Sequence, residues 1–174
     1  MTPDTAGARG SRTLVLGVGN RIMTDDAVGL EALAALGRDY RLPGTVDLVD
    51  GGTLGLDLLV HIEGYPRVLV LDCVMLGREP GAVVRVEGDE IPALLGRCLS
   101  PHQVGLQDLL GVLQLLDRVP ERLTVVGVEP ERIDPGLELS APVRRALPEM
   151  LEAAVGVLRG WGLAVERRRG GGGG

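Results

Sequence analysis

Asp72 is the polar side chain whose position in the sequence is hardest to explain by packing alone. It follows the apolar run VLVL of a strand predicted at residues 67–71, and such a run is typical of a strand buried on both faces. A carboxylate there is unfavourable unless it is paired, hydrogen-bonded or bound to a cation, and ligands of open α/β sheets bind beyond the carboxyl ends of the strands. Asp72 is therefore a candidate functional residue. The alternative is a carboxylate that accepts hydrogen bonds from loop amides.

An acidic pair and one histidine could complete a metal site with Asp72. Asp25 and Asp26 follow a glycine-rich loop, although acidic residues at a helix start are also common because they stabilise the helix dipole. His102 lies in a predicted loop, where functional groups concentrate, whereas His61 falls at the end of a short predicted helix. A neutral imidazole is the commonest metal ligand, so His102 is the stronger candidate of the two histidines.

Two carboxylates and an imidazole form a mixed oxygen and nitrogen donor set that leaves coordination positions open. Such a set suits zinc, nickel, iron or manganese and does not choose among them. The spacing 26, 72, 102 is not a compact metal-binding motif, so spacing alone is weak evidence for grouping the three residues.

Other chemistries are disfavoured by the same segments. Gly-x-Gly after a strand begins the dinucleotide-binding fingerprint, and Asp50 stands where a ribose-binding acid would, but Ile22 replaces the third glycine. Two carboxylates at the helix start would also repel a pyrophosphate. A thiol dyad of Cys73 with His102 is disfavoured because a cysteine after an apolar strand is usually buried in packing.

The elements that must position these residues alternate between strands and helices. Strands are predicted at residues 13–18, 46–49, 67–71, 82–86 and 123–128. Helices are predicted at residues 26–36, 54–62 and 103–116, and again after Ser140 as the N-cap. This order predicts a three-layer α/β/α domain with a mostly parallel sheet. We assign the domain to residues 13–165, with flexible tails at 1–12 and 166–174.

The composition narrows the class of function. The chain has 174 residues and a net charge of −6, and all 18 of its basic residues are arginine. An acidic balance with few aromatic residues argues against a nucleic-acid partner, and the absence of lysine excludes a Schiff-base or P-loop lysine. No apolar run is long enough to span a bilayer. Two cysteines outside any CxxC pair, with no signal peptide, predict a reduced, cytoplasmic protein.

Five sequence blocks resemble the maturation endopeptidases of nickel-iron hydrogenases, and they occur in that family's order. The blocks are LVLGVGNRIMTDDAVG (14–29), DGGTLGLDLL (50–59), LVLDCV (69–74), SPHQVGL (100–106) and LTVVGVEPE (123–131). Each is short, but five together are specific. In this resemblance the family's three metal ligands fall at Asp26, Asp72 and His102.

Further positions match the same family and are expected to shape the same cleft. They are Asn20, Asp25 and the loop Gly51, Gly52 and Thr53. The resemblance also implies a twisted five-stranded sheet of the phosphorylase/hydrolase-like type with one antiparallel strand. That strand suits the turn at Pro80-Gly81 before the fourth predicted strand.

The function implied by the resemblance is that of an endopeptidase that acts on the precursor of the hydrogenase large subunit. It would remove a C-terminal extension after nickel insertion, with Asp26, Asp72 and His102 as metal ligands and catalytic residues and the nickel supplied by the precursor. That metal could tether the precursor and orient the scissile bond, or act as a Lewis acid on the attacking water. The alternative function is a non-catalytic nickel chaperone that binds the same precursor.

Overall fold

The computed structural model describes residues 11–53, 57–95 and 110–169. Each of the five predicted strands has a counterpart in the central sheet, and two short strands are additional. In chain order the strands are β1 (Thr13–Val18), β2 (Tyr40–Arg41), β3 (Val46–Gly52), β4 (Arg67–Cys73), β5 (Val83–Glu87), β6 (Arg122–Val128) and β7 (Glu166–Arg167). The helices are α1 (Val28–Asp39), α2 (Leu58–Ile62), α3 (Glu90–Leu95) and α4 (Ala141–Gly160), with a 3₁₀ helix at Thr24–Ala27. Residues 110–115 are also helical.

The five-stranded sheet has the order β3-β1-β4-β6-β5. β1 pairs in parallel with β3 and β4, and β4 pairs in parallel with β6, whereas β5 runs antiparallel to β6. The central strands are continuous apolar runs because a parallel sheet is covered on both faces. The predicted mostly parallel sheet with one antiparallel strand is confirmed.

Two apolar cores lie on opposite faces of this sheet, so the predicted three-layer arrangement is confirmed. α1 and α4 pack on one face, where Leu69, Leu71 and Cys73 of β4 point. α2 and the helical residues 110–115 pack on the other face, where Val68 and Val70 of the same strand point. The two sets alternate along β4, as strand geometry requires.

The first helix begins differently from the prediction. Residues Thr24–Ala27 form a 3₁₀ helix, and α1 begins only at Val28. Thr24 has a φ of 40°, a left-handed conformation that is rare for a β-branched residue. The side chain of Thr24 supports this conformation, because its hydroxyl donates to Arg132 O and accepts from Asp134 N–H, at 3.0 and 3.1 Å.

The end of the domain also differs from the prediction, which placed Glu166 at the start of a flexible tail. Glu166 and Arg167 instead form β7, which pairs antiparallel with Tyr40 and Arg41 of β2. β7 has only two residues, both charged, and therefore shows no alternation of apolar and polar side chains that could have indicated a strand. Backbone pairing with a segment more than a hundred residues earlier orders them.

Two predicted helices are described only in part. The helix predicted at 54–62 begins at Leu58 in the structure, and residues 54–56 lie outside the described residues. Of the helix predicted at 103–116, residues 103–109 lie outside them, and residues 110–115 are helical. α3 was not predicted. Among the described helices, none is long and apolar enough to cross a membrane.

Candidate active site

Asp72 lies near the carboxyl end of β4, within the strand rather than just after it. Its backbone is in register with Gly127 of β6, and its side chain is 6% exposed. The N–H of Cys73 donates to Asp72 Oδ1 at 2.7 Å. Asp72 is therefore buried at the edge of the sheet where functional residues are expected, and it also accepts a hydrogen bond from a neighbouring backbone amide.

The pKa of Asp72 is raised well above its usual value. Burial, which disfavours the ionised form, is the main cause; the hydrogen bond from Cys73 lowers the pKa, and the charge of Asp26 raises it further. Asp26 and Asp72 are thus close enough to interact electrostatically. The structure brings together two of the three side chains that the sequence singled out.

Asp26 belongs to the 3₁₀ helix after β1, and its side chain is 3% exposed. Its Oδ2 accepts a hydrogen bond from the backbone N–H of Asn20 at 3.0 Å. Gly19, with a φ of +142°, makes this approach possible, because a Cβ atom there would overlap the carbonyl oxygen of Asp26. The glycine-rich loop therefore serves close backbone packing beside the carboxylate.

A second glycine brings the Asp26 segment to the end of β4. Gly29, in the first turn of α1, lies so close to the sheet that a Cβ atom would overlap the carbonyl oxygen of Leu71. Because Leu71 directly precedes Asp72, this close packing places the start of α1 beside the site. The pairing of β1 with β4 also brings the loop after β1 towards Asp72, because Gly17 is in register with Leu71.

The Asp26 and Asp72 pair has the chemistry of part of a cation site. Two buried carboxylates that repel each other are stabilised by a bound cation, which compensates both the lost hydration and the repulsion. His102, the third predicted ligand, lies outside the described residues. Within them, no group of three or more His, Cys, Asp or Glu side chains could hold a metal ion, so a metal at this pair would need ligands in addition to the two carboxylates.

The structure places the carboxylate of Asp25 in a different environment from that of Asp26. It is fully buried and accepts four hydrogen bonds, from the N–H groups of Glu131, Arg132 and Ser140 and from the Ser140 hydroxyl, at 2.7 to 3.0 Å. Ser140, predicted as the N-cap of α4, uses its hydroxyl for Asp25 and makes no side-chain capping bond. Asp25 therefore joins the 3₁₀ helix to the segment before α4.

The remaining predicted cleft residues lie in the loop after β1 and at the end of β3, and these two segments are hydrogen-bonded to each other. Gly19 N–H donates to Gly52 O at 2.9 Å. In the loop after β1, Asn20 Oδ1 accepts from Ile22 N–H at 3.1 Å. Gly51 is buried within β3, and Thr53, which follows the strand, is exposed.

Asp50 lies within β3, near its carboxyl end, and is not positioned as a free ribose-binding acid. Its carboxylate accepts from Gly52 N–H at 3.0 Å and from the guanidinium of Arg21 at 2.7 Å. Both side chains of this ion pair are about half exposed. Asp50 therefore stabilises the end of β3 and links it to the loop after β1, which agrees with the weakness of the nucleotide-binding pattern.

Glu129 is a buried carboxylate beside the site that the sequence analysis did not single out. It directly follows β6, and its two oxygens accept hydrogen bonds from the N–H groups of Leu76 and Gly77 at 2.8 and 3.2 Å. It therefore holds the loop that follows β4 and Asp72. The signal was available, because Glu129, like Asp72, directly follows an apolar run in the sequence.

Cys73 is not activated as a nucleophile. Its thiol is buried in the core beneath α1 and α4. Burial raises the pKa of Cys73, and the nearby charges of Asp72 and Asp26 raise it further. The thiolate form is thus strongly disfavoured, which argues against a cysteine-based mechanism.

Comparison with known proteins identifies relatives over most of the chain. The family profile described as hydrogenase maturation protease matches residues 30–157. The chain is 42% identical over 159 residues to the hydrogenase expression/formation protein HupD of Rhizobium leguminosarum bv. viciae, covering 90% of this chain and 79% of HupD. It is 38% identical over 149 residues to the hydrogenase 2 maturation protease of Escherichia coli (strain K12), covering 85% of this chain and 91% of that protein.

Solved structures agree with these sequence relatives. The hydrogenase maturating endopeptidase HybD from E. coli superposes with a TM-score of 0.85 at 37% identity, covering 90% of this chain and 98% of HybD. The [NiFe] hydrogenase maturation protease HybD from Thermococcus kodakarensis superposes with a TM-score of 0.70 at 30% identity, covering 84% of this chain and 98% of that one. The similarity therefore extends over nearly the whole length of both structures.

Proposed function

The chain belongs to the hydrogenase maturation protease family, and on this premise we propose that it removes the C-terminal extension from the nickel-loaded precursor of a nickel-iron hydrogenase large subunit. The structural observation that supports this function most directly is the buried, electrostatically coupled pair of Asp26 and Asp72. The pair lies at the carboxyl edge of the sheet, where ligands of such folds bind.

Asp26, Asp72 and His102 are proposed to bind the nickel ion that the precursor carries. Asp26 and Asp72 contribute carboxylate oxygens that burial and mutual repulsion make receptive to a cation. His102 contributes an imidazole nitrogen, an assignment that rests on the family resemblance because this residue lies outside the described residues. Mixed oxygen and nitrogen donors suit nickel among other divalent metals.

The precursor's nickel is proposed to act in recognition, so that its binding by the enzyme holds the scissile bond beside the two carboxylates. Fixing a reacting bond in place can supply several kcal/mol of the barrier reduction. Activation of the attacking water by the metal is the alternative. The two roles predict different outcomes for cleavage of a metal-free precursor. If the metal acts in recognition, cleavage requires nickel in the precursor. If the metal activates water, cleavage requires only a metal on the enzyme.

Cleavage of purified precursor tests the proposed function. Nickel-loaded precursor is incubated with the protein, and its mass is followed for loss of the C-terminal peptide. Asp26→Asn, Asp72→Asn and His102→Ala should each abolish this loss while the variants stay folded. Asp89→Asn, the same chemical change in an exposed turn after β5, should cleave as the wild type does. Stable binding without any loss of mass would instead support the chaperone alternative.

Metal-free precursor separates the two roles of the metal. The enzyme is pre-incubated with nickel or zinc, excess metal is removed, and metal-free precursor is added. Recognition predicts no cleavage in this arm and full cleavage of nickel-loaded precursor. Cleavage of the metal-free precursor by the metal-treated enzyme would assign the metal to water activation.

A cytoplasmic location is part of the same proposal. It is supported by the use of cysteine, since the chain has only two, which are too few for a disulfide framework. A fluorescent fusion followed after fractionation of cells would test it, and recovery in a membrane or secreted fraction would contradict it.

A further inference from the structure

Two large apolar side chains beside the site are exposed to solvent. Ile22 is 61% exposed and Leu137 is 81% exposed. The segments that carry them are joined by backbone hydrogen bonds: Gly136 N–H donates to Ile22 O at 2.9 Å, and Thr24 N–H donates to Gly136 O at 3.0 Å. Ile22 and Leu137 therefore belong to one surface, although they are 115 positions apart in the sequence.

This surface is continuous with the turn that holds Asp26. Ile22 N–H donates to the side chain of Asn20, and Asn20 N–H donates to the carboxylate of Asp26. Asp26 N–H in turn donates to Met23 O at 3.0 Å. Ile22 is therefore joined to the Asp26 carboxylate through Asn20 by two hydrogen bonds, and a protein that binds at Asp26 would approach the loop that carries Ile22.

The surface is held in place by buried hydrogen bonds. The carboxylate of Asp25 and the hydroxyl of Thr24 bind backbone groups of residues 131–140, the segment that contains Leu137. Single exposed apolar side chains are ordinary on protein surfaces. Two that are presented by a pre-ordered backbone beside a catalytic cleft can bind a partner without paying for ordering of that backbone.

We propose that Ile22 and Leu137 form a docking surface for an apolar segment of the hydrogenase precursor that lies outside the peptide to be removed. The proposal rests on the proposed function, because the need for the precursor to reach Asp26 is what makes it the occupant. A second copy of this chain on the same surface would block access to the site. The docking surface would give the enzyme affinity for the folded body of its substrate in addition to the metal.

Steady-state cleavage of nickel-loaded precursor tests the docking surface. The Ile22→Ser/Leu137→Ser double variant should show a KM at least about tenfold higher than the wild type, since it loses the burial of two aliphatic side chains. Its kcat should be retained, because binding energy lost equally from ground and transition states changes KM alone. Leu115→Ser is the matched control: Leu115 is 88% exposed and lies in the helical segment before β6, away from the carboxyl edge of the sheet.

Direct binding separates this proposal from the proposed function. Calorimetry with metal-free precursor should give a Kd at least about tenfold weaker for the double variant than for the wild type or Leu115→Ser. If the wild type binds the precursor without cleaving it, the proposed function is refuted, and the Kd values still test the docking surface. An unchanged KM and Kd in the double variant, a fall in kcat at unchanged KM, or no binding by the wild type would overturn the docking proposal. Loss of a wild-type dimer in the double variant, with KM unchanged, would assign the surface to self-association instead.

Discussion

The carboxylate of Asp25 and Ser140 are joined by two hydrogen bonds across 115 positions of sequence. The backbone N–H of Ser140 donates to Oδ1 at 2.7 Å, and its hydroxyl donates to Oδ2 at 2.8 Å. Asp26, the next residue along the chain, instead accepts from Asn20 and interacts with Asp72. Adjacent carboxylates thus have separate tasks, one holding the turn and the other belonging to the candidate site.

Replacement of Asp25 by asparagine should destabilise the fold. The substitution replaces an acceptor oxygen with an NH₂ group that faces N–H donors, so we expect a loss of about 2–4 kcal/mol in the free energy of unfolding. Urea unfolding at neutral pH measures it. Ser140→Ala removes only the hydroxyl bond and should lose about 1 kcal/mol. A stability for Asp25→Asn equal to that of the wild type would contradict the structural role.

Gly19→Ala should disturb both the fold and the position of Asp26. The added Cβ atom would overlap Asp26 O, and the φ of +142° is strained for any residue with a side chain. We expect a destabilisation above about 2 kcal/mol and loss of precursor cleavage. Gly44→Ala is the control, because nothing lies within 4 Å of a Cβ atom at that position. Equal thermal unfolding midpoints for the two variants would refute the prediction.

The stability of the metal-free protein should carry a pH dependence that originates in Asp72. The folded state raises the pKa of Asp72 above the value of about 3.9 expected in the unfolded chain. The folded state therefore holds this proton where the unfolded state has released it, and the contribution of Asp72 to stability falls as the pH rises from about 4 through the raised pKa.

The Asp72→Asn variant lacks this contribution because asparagine does not ionise. In the presence of a chelator, its free energy of unfolding should increase relative to that of the wild type as the pH rises from about 4 towards neutrality. Urea unfolding of both proteins at a series of pH values gives the difference. A difference that is constant with pH would show that the pKa of Asp72 is not raised by folding.

Glu129→Gln should loosen the loop after β4 while leaving the sheet intact. The glutamine keeps one acceptor oxygen but places an NH₂ group near the N–H of Leu76 or Gly77, which then loses its partner. Hydrogen exchange followed by mass spectrometry should show faster exchange at these two amides, with a stability loss of about 1–3 kcal/mol. Glu79→Gln, an exposed change in the same loop, should leave their exchange at the wild-type rate.

The fold followed from the sequence wherever an element has a local pattern. Continuous apolar runs predicted β1, β4 and β6 within a residue or two at each end, because strands covered on both faces need apolar side chains throughout. Elements without such a pattern were missed: β2 and β7 are two-residue strands that pair with each other across more than a hundred positions, and α3 has no distinct signal. The extent of β4 was underestimated because a carboxylate was taken as the end of a strand.

The candidate site was also predictable from the sequence only in part. The sequence by itself selected Asp72, since a charge at the end of a buried strand is costly at any position in any fold, and the block resemblance grouped it with Asp26 and His102. The sequence could not assign different roles to Asp25 and Asp26, because they are identical residues at the same helix start. The hydrogen bonds of the Asp25 carboxylate join it to residues 106 to 115 positions away, whereas the Asp26 carboxylate accepts from Asn20, which is 6 positions away. Only the tertiary structure, by bringing the segment before α4 against the 3₁₀ turn, decided which carboxylate is buried among amides and which one belongs to the site with Asp72.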